Sequence, residues 1–281
     1  MIKRYFSDEN FIRMQKHFSF LIRKINDSLG ELELSIRDDY FNIYYKGNSL
    51  SKVSFKEDDK YQIDINSKFF EGTSVAKSKN DGSCSKNKKG DYYSIMLSSK
   101  QLPSFFKEKH LKEFISKIKK ENYKEEITFE QALIADNKNR ESFFFIDRQV
   151  SDGKMKRKTL DLLALKQKQG NKYHFVICEV KLGNNPELKD KVVDQLNYYV
   201  THINEKENFN NYKDCYEKQY KQKRTLGLIN IPAFPSIEIE KPVEGRIIVG
   251  GYSGIAKSQL DSLQNKCQNL KIEHFTYELK P

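Results

Sequence analysis

Between Tyr173 and Leu182 the chain reads Tyr-His-Phe-Val-Ile-Cys-Glu-Val-Lys-Leu. Aromatic and β-branched residues dominate this run, and the turn signal Gln169-Gly170-Asn171 precedes it, so it predicts a buried strand. Side chains alternate along a strand. Ile177, Glu179 and Lys181 therefore share one face, while Val176, Cys178, Val180 and Leu182 form an apolar one. An acid and an amine shown together from an apolar strand cost free energy unless they are paired or hold a metal. Any fold this chain adopts must bring partners to them.

The neighbouring segments offer such partners. Residues 159–166 predict a second strand with one acid, Asp161, amid Leu160, Leu162, Leu163 and Leu165. A hairpin would bring Asp161 toward Glu179. Two close carboxylates repel, and a divalent cation relieves the repulsion; hard oxygen ligands of this kind suit Mg²⁺ or Mn²⁺. A helix over 187–204 carries Gln195 and Tyr199, four apart on one face. Upstream, a helix from Thr128, as its cap, to about Asn139 carries Glu130, and Glu141–Val150 predicts a further strand. The order is α-β-β-β-α. A helix over 209–223, a strand over 246–252, a helix over 256–269 and a strand over 271–279 follow.

The first 120 residues read differently. Apolar positions at helical spacing predict a helix over 8–27, with Ser7 as N-cap and Gly30 closing it. Four short alternating runs, 31–37, 40–46, 51–56 and 61–66, predict an antiparallel meander. The polar stretch 73–91 predicts a loop, and 107–120 a lysine-rich amphipathic helix. A domain boundary is expected near residue 120, separating an N-terminal α+β substrate-recognition or regulatory region, 1–120, from a second domain, 121–281. The chain of 281 residues has a formal net charge of +11. The excess is local: residues 75–120 hold 12 basic against 4 acidic side chains. That is the footprint expected of a surface for a phosphate backbone. The apolar runs are too short to span a membrane. No secretory signal is evident, and the four scattered cysteines read as reduced thiols, so a cytoplasmic location is expected.

Asp161, then Glu179-x-Lys181, then Gln195-x-x-x-Tyr199, with Glu130 on a preceding helix, resembles the PD-(D/E)XK nuclease superfamily, in its RecB-like branch. The resemblance covers residues 128–200, and Leu160 stands where the name-giving proline would be. It implies an α/β (α+β) fold with a restriction-endonuclease-like αβββαβ core around a mixed sheet. It further implies a Mg²⁺-dependent phosphodiesterase, with Mn²⁺ able to substitute. Asp161, Glu179, the Val180 carbonyl and Glu130 would serve the metal. Lys181 would orient the attacking water and stabilise the phosphate, Gln195 would contact Lys181 or the scissile region, and Tyr199 would brace the helix or touch substrate.

Lys154, Lys156, Arg157 and Lys158 before Asp161, and Lys218, Lys221, Lys223 and Arg224 on the later helix, are candidates for contacting DNA phosphates. The function expected is a DNA endonuclease of bacterial restriction, antiphage defence or repair. The alternative is a catalytically silent nucleic-acid-binding subunit of a larger assembly. RNA as substrate, a homo-oligomer and a partner protein stay open. His174 is expected to be structural.

Overall fold

A computed structural model describes residues 2–78, 84–87, 89–121, 125–155, 158–231, 234–251, 254–261 and, as backbone, 271–274. The chain forms two compact units. The first comprises Lys3–Ala135 with Gln222–Ile229; the second holds Asp136–Lys221 and the residues from Asn230 onward, together with Met1–Ile2. The change-over at Ala135 lies beyond the boundary expected near 120.

The first unit opens with α1 (Asp8–His17) and α2 (Ser19–Asp27). The Ser7 hydroxyl caps α1 by accepting from the Asn10 amide at 3.4 Å. A single helix over 8–27 was expected, but Phe18 leaves helical geometry at φ −120°, ψ 11°. Its ring is fully buried and meets Phe41 and Tyr61 edge-on at 5.0 Å.

The four strands of the meander follow: β1 (Leu32–Ile36), β2 (Tyr40–Tyr45), β3 (Asn48–Phe55) and β4 (Lys60–Asn66). All neighbours pair antiparallel. Lys46 and Gly47, at φ 44° and 78°, make the tight β2–β3 turn. Alternation drives the layering: Phe41, Ile43 and Tyr45 of β2 face the core while Tyr40, Asn42 and Tyr44 are half-buried.

The stretch 73–91, expected as a loop, holds α4 (Ser74–Ser78) after the short α3 (Ser67–Phe70), and an edge strand β5 (Cys84–Lys86). β6 (Tyr92–Ser98) completes a sheet of order β1-β2-β3-β4-β6-β5. α5 (Leu102–Phe105) and α6 (Glu108–Glu121) follow, α6 burying Leu111, Phe114 and Ile118. α7 spans Glu125–Asn137. Thr128 lies inside it, so it is not the cap expected. Gly30 is required where α2 ends: its φ is +88°, and a Cβ there would stand 2.4 Å from the Ala135 Cβ.

The second unit carries β7 (Phe143–Val150), β8 (Leu160–Gln169) and β9 (Lys172–Leu182). A 3-10 turn, Pro186–Lys189, leads to α8 (Lys191–Asn204) and α9 (Lys206–Thr225). Then come β10 (Glu238–Ile239), β11 (Glu244–Gly250), α10 (Gly254–Asp261) and β12 (Lys271–His274). The sheet runs β12-β11-β9-β8-β7, with β10 also on β9. β7, β8 and β9 are antiparallel, while β11 pairs parallel to β9. This is the mixed sheet and the αβββαβ order expected. β9 is central and buried from Tyr173 to Lys181, which accounts for its nearly continuous apolar run. The expected helix beyond Asp261 and strand beyond His274 lie outside the described residues. No described helix is long and apolar enough to cross a membrane.

Candidate active site

The β8–β9 hairpin pairs Leu162 with Cys178, so Asp161 and Glu179 fall opposite each other one step further on. Asp161 Oδ2 accepts a hydrogen bond from the Val180 amide at 3.0 Å. Lys181 Nζ stands 3.5 Å from Asp161 Oδ2 and 3.5 Å from Glu179 Oε2. The expected trio is thus assembled by strand register alone. Two further side chains join it that sequence reasoning missed. Gln149 of β7 reaches Asp161 Oδ1 through its amide nitrogen at 3.5 Å. Glu187 of the 3-10 turn places Oε2 3.7 Å from Lys181 Nζ.

Gln149 is there for a backbone reason. Past the register shift between Phe145 and Asp147, the pairs Arg148↔Leu162 and Val150↔Leu160 set Gln149 opposite Asp161, and Gln149 sits at φ 47°. The upstream shift, one extra residue in β7, decides which β7 side chain comes to face Asp161. The only sequence signal was an amide three residues before the turn at Asp152-Gly153.

The site is buried on one side and open on the other, where Gln149 is exposed and the Glu187 side chain is 43% exposed. The Glu179 side chain is 0% exposed and that of Lys181 6%. Burial, and then the Asp161 charge beside it, push the Glu179 carboxyl well above its ordinary 4.5, against the pull of Lys181. Glu179 Oε1 is buried and accepts no hydrogen bond from the described residues. One ammonium therefore faces three carboxylates, of which Glu179 and Asp161 are largely shielded from water and Glu187 is not. An orphaned buried oxygen beside a second carboxylate is a donor set that fits a hard divalent cation. Among the described residues no group of three His, Cys, Asp or Glu side chains has the geometry to hold a metal ion. Asp161 and Glu179 would be the protein's carboxylate pair, with oxygens of water or substrate completing the shell, as Mg²⁺ commonly has it.

The helix residues act on each other. Gln195 donates to the Tyr199 hydroxyl at 3.4 Å, and Tyr199 donates to the Thr159 carbonyl at 3.0 Å. Tyr199 is fully buried. Burial holds its hydroxyl above the usual phenol value. It therefore ties α8 to the residue before β8. One turn later His202 Nε2 bonds Asp152 Oδ2 at 2.9 Å, and the Tyr212 hydroxyl donates to the same oxygen at 3.0 Å. The segment entering β8 is thus held at both ends. Glu130 is buried on α7 and belongs to the first unit.

The candidate cations divide. Lys154 is engaged with Glu207 and Asn208, each at 3.1 Å. Lys158 Nζ lies 4.2 Å from the Tyr198 ring centre. Lys156 and Arg157 lie outside the described residues. Lys218 and Lys221 are exposed on α9 and Arg224 is half-buried. Lys223 is only 6% exposed, a correction to its expected phosphate contact: with Gln222 it falls on the buried side of α9. His174 lies buried in β9, 2.8 Å from Glu244, in keeping with a structural role.

No family model and no curated protein matches the chain. Two solved structures overlap it. A crystal structure of a repair endonuclease from Pyrococcus abyssi aligns at 14% identity over 87% of this chain and 77% of that one, with a TM-score of 0.24. The structure of an EndoMS–dsDNA2 complex aligns at 11% identity over 89% of this chain and 78% of that one, with a TM-score of 0.28.

Proposed function

We propose that this chain is a nuclease dependent on Mg²⁺, or on Mn²⁺ in its place, acting on DNA as an endonuclease in restriction, defence or repair. The observation that carries the reading is the buried, unpartnered Glu179 Oε1 beside Asp161, with a single ammonium among three carboxylates. Such a site is costly to build for structure alone. It becomes neutral when a doubly charged cation enters.

Asp161 and Glu179 would hold the cation, with the Val180 carbonyl as a further candidate. When bound, it supplies Lewis-acid charge to the scissile phosphate and lowers the pKa of water. The remaining work falls to the chain. The Val180 amide and Gln149 fix the Asp161 carboxylate in one orientation. Burial of Glu179 and Lys181 strengthens the charge interaction between them. Lys181 presents an ammonium that orients a water by hydrogen bonding and offsets negative charge on phosphate oxygens. Tyr199, with Gln195 behind it, holds the entry to β8 so that Asp161 keeps its place. Lys158, Lys218 and Lys221 are exposed candidates for contacting flanking phosphates.

Closed-circular plasmid and linear single- and double-stranded DNA, incubated with protein and Mg²⁺, Mn²⁺ or EDTA, test this. The expected result is metal-dependent nicking of the closed circle, lost in both Glu179→Ala and Lys181→Ala. Cleavage that survives both substitutions would overturn the assignment. An RNA arm in the same assay decides the sugar.

A further inference from the structure

Glu187 is held firmly in place for a half-exposed acid. The Asn185 side chain accepts from its amide at 3.0 Å, Pro186 opens its turn, and the next residue, Leu188, is fully buried. Behind the turn, the Gly183 amide donates to the Gly250 carbonyl at 2.7 Å. A Cβ on Gly183 would stand 2.4 Å from the Gly251 carbonyl oxygen, so only glycine lets the loop lie this close to the end of β11. The result is one carboxylate delivered to 3.7 Å from Lys181 Nζ.

The three acids around Lys181 are not equivalent. The Glu179 and Asp161 side chains are 0% and 15% exposed, that of Glu187 43%. Asp161 and Glu179 are the pair that the proposed cation requires. An ammonium 3.5 Å from both competes with that cation for the same oxygens. With the cation present, Lys181 is repelled from the pair and needs another counter-charge within reach. Glu187 already stands there. Building on the nuclease reading, we propose that Glu187 is a positioning residue, holding the Lys181 ammonium off the carboxylate pair while a divalent cation occupies it. Glu187 thereby sets both cation affinity and the placing of Lys181 against the phosphate.

The test is a double-mutant cycle on the full chain, read by calorimetric titration with Mn²⁺ in the absence of DNA. Lys181→Met, which removes the competitor, should tighten Mn²⁺ binding. Glu187→Gln should weaken it by about 3–10-fold, a coupling within the range for residues in contact. In the Lys181→Met background, Glu187→Gln should change affinity by less than about 2-fold, within the error of additivity. Lys181→Gln serves in place of Lys181→Met if the latter melts early. In cleavage, Glu187→Gln should lower kcat and leave KM unchanged. Equal weakening in both backgrounds would mean that Glu187 acts on the cation directly, and no weakening in either would mean that it acts on neither; both overturn the proposal and leave the nuclease reading standing. Absence of Mn²⁺ binding by the wild type would sink both.

Discussion

The backbone amide of Val180 donates to Asp161 Oδ2 at 3.0 Å, fastening the acid of β8 to the peptide between Glu179 and Lys181. The bond spans 19 residues of sequence but only one step of strand register. Beside it the buried Glu179 Oε1 accepts no hydrogen bond from the described residues, and the cost of that arrangement is measurable.

Glu179→Gln should stabilise the protein in the absence of divalent cations. The folded state raises the Glu179 pKa well above 4.5, so the ionised carboxylate opposes folding. The penalty is absent below the unfolded value and grows as pH rises toward the folded one. The variant should match wild type below about pH 4.5 and melt higher at pH 7–8, by roughly 2–4 °C per kcal/mol relieved. Thermal unfolding across pH checks this. Added Mn²⁺ should raise the Tm of wild type and not of the variant. A variant less stable than wild type at pH 8 would refute the account of this carboxyl.

Tyr199→Phe should cost about 1–2 kcal/mol, because the Thr159 carbonyl loses its 3.0 Å donor in a buried place. Gln195→Ala removes only a 3.4 Å contact and should cost less than about 0.5 kcal/mol, as changes at partly exposed sites generally do. Urea denaturation at pH 7 separates the two.

Asp152→Asn should reduce stability at neutral pH and leave it nearly unchanged in acid. Burial alone would raise the Asp152 pKa, but hydrogen bonds from His202, the Lys154 amide and Tyr212 hold it below its ordinary 3.8. A depressed carboxyl contributes stability above the unfolded value and loses it as pH falls through the folded one. The difference between wild type and variant, about 1–3 kcal/mol for a lost charged acceptor, should therefore close below pH 3.8. Denaturant titrations from pH 3 to 7 measure it.

Gly183→Ala should destabilise by about 1–3 kcal/mol, since the 2.4 Å approach to the Gly251 carbonyl forces a backbone shift. It should also weaken Mn²⁺ binding as Glu187→Gln does, because the displaced loop carries Glu187. Calorimetry beside a thermal melt shows both effects or refutes the link.

Local period made much of this chain legible. The meander of 31–66, the Ser7 cap and the β8–β9 hairpin follow from alternation and turn chemistry within a few residues. The same periodicity placed Glu179 and Lys181 on one face and set Asp161 opposite. The break at Phe18 escaped it, because a helical apolar spacing runs through residues 8–27 unbroken while the Phe18 backbone, its ring buried against Phe41 and Tyr61, leaves helical geometry. Lys223 escaped it as well: lysine on a helix reads as solvated surface, and tertiary packing buried this one.

The sequence by itself thus determined which residues share a strand face and which strands follow one another, since those depend on neighbours one to four positions away. The tertiary structure decided what surrounds them. Gln149 faces Asp161 in a register that the shift between Phe145 and Asp147 fixes, and Glu187 reaches Lys181 because Gly183 packs against the strand end around Gly250 and Gly251. Close backbone approach and dielectric burial are properties of segments far apart in the chain, and no local pattern encodes them.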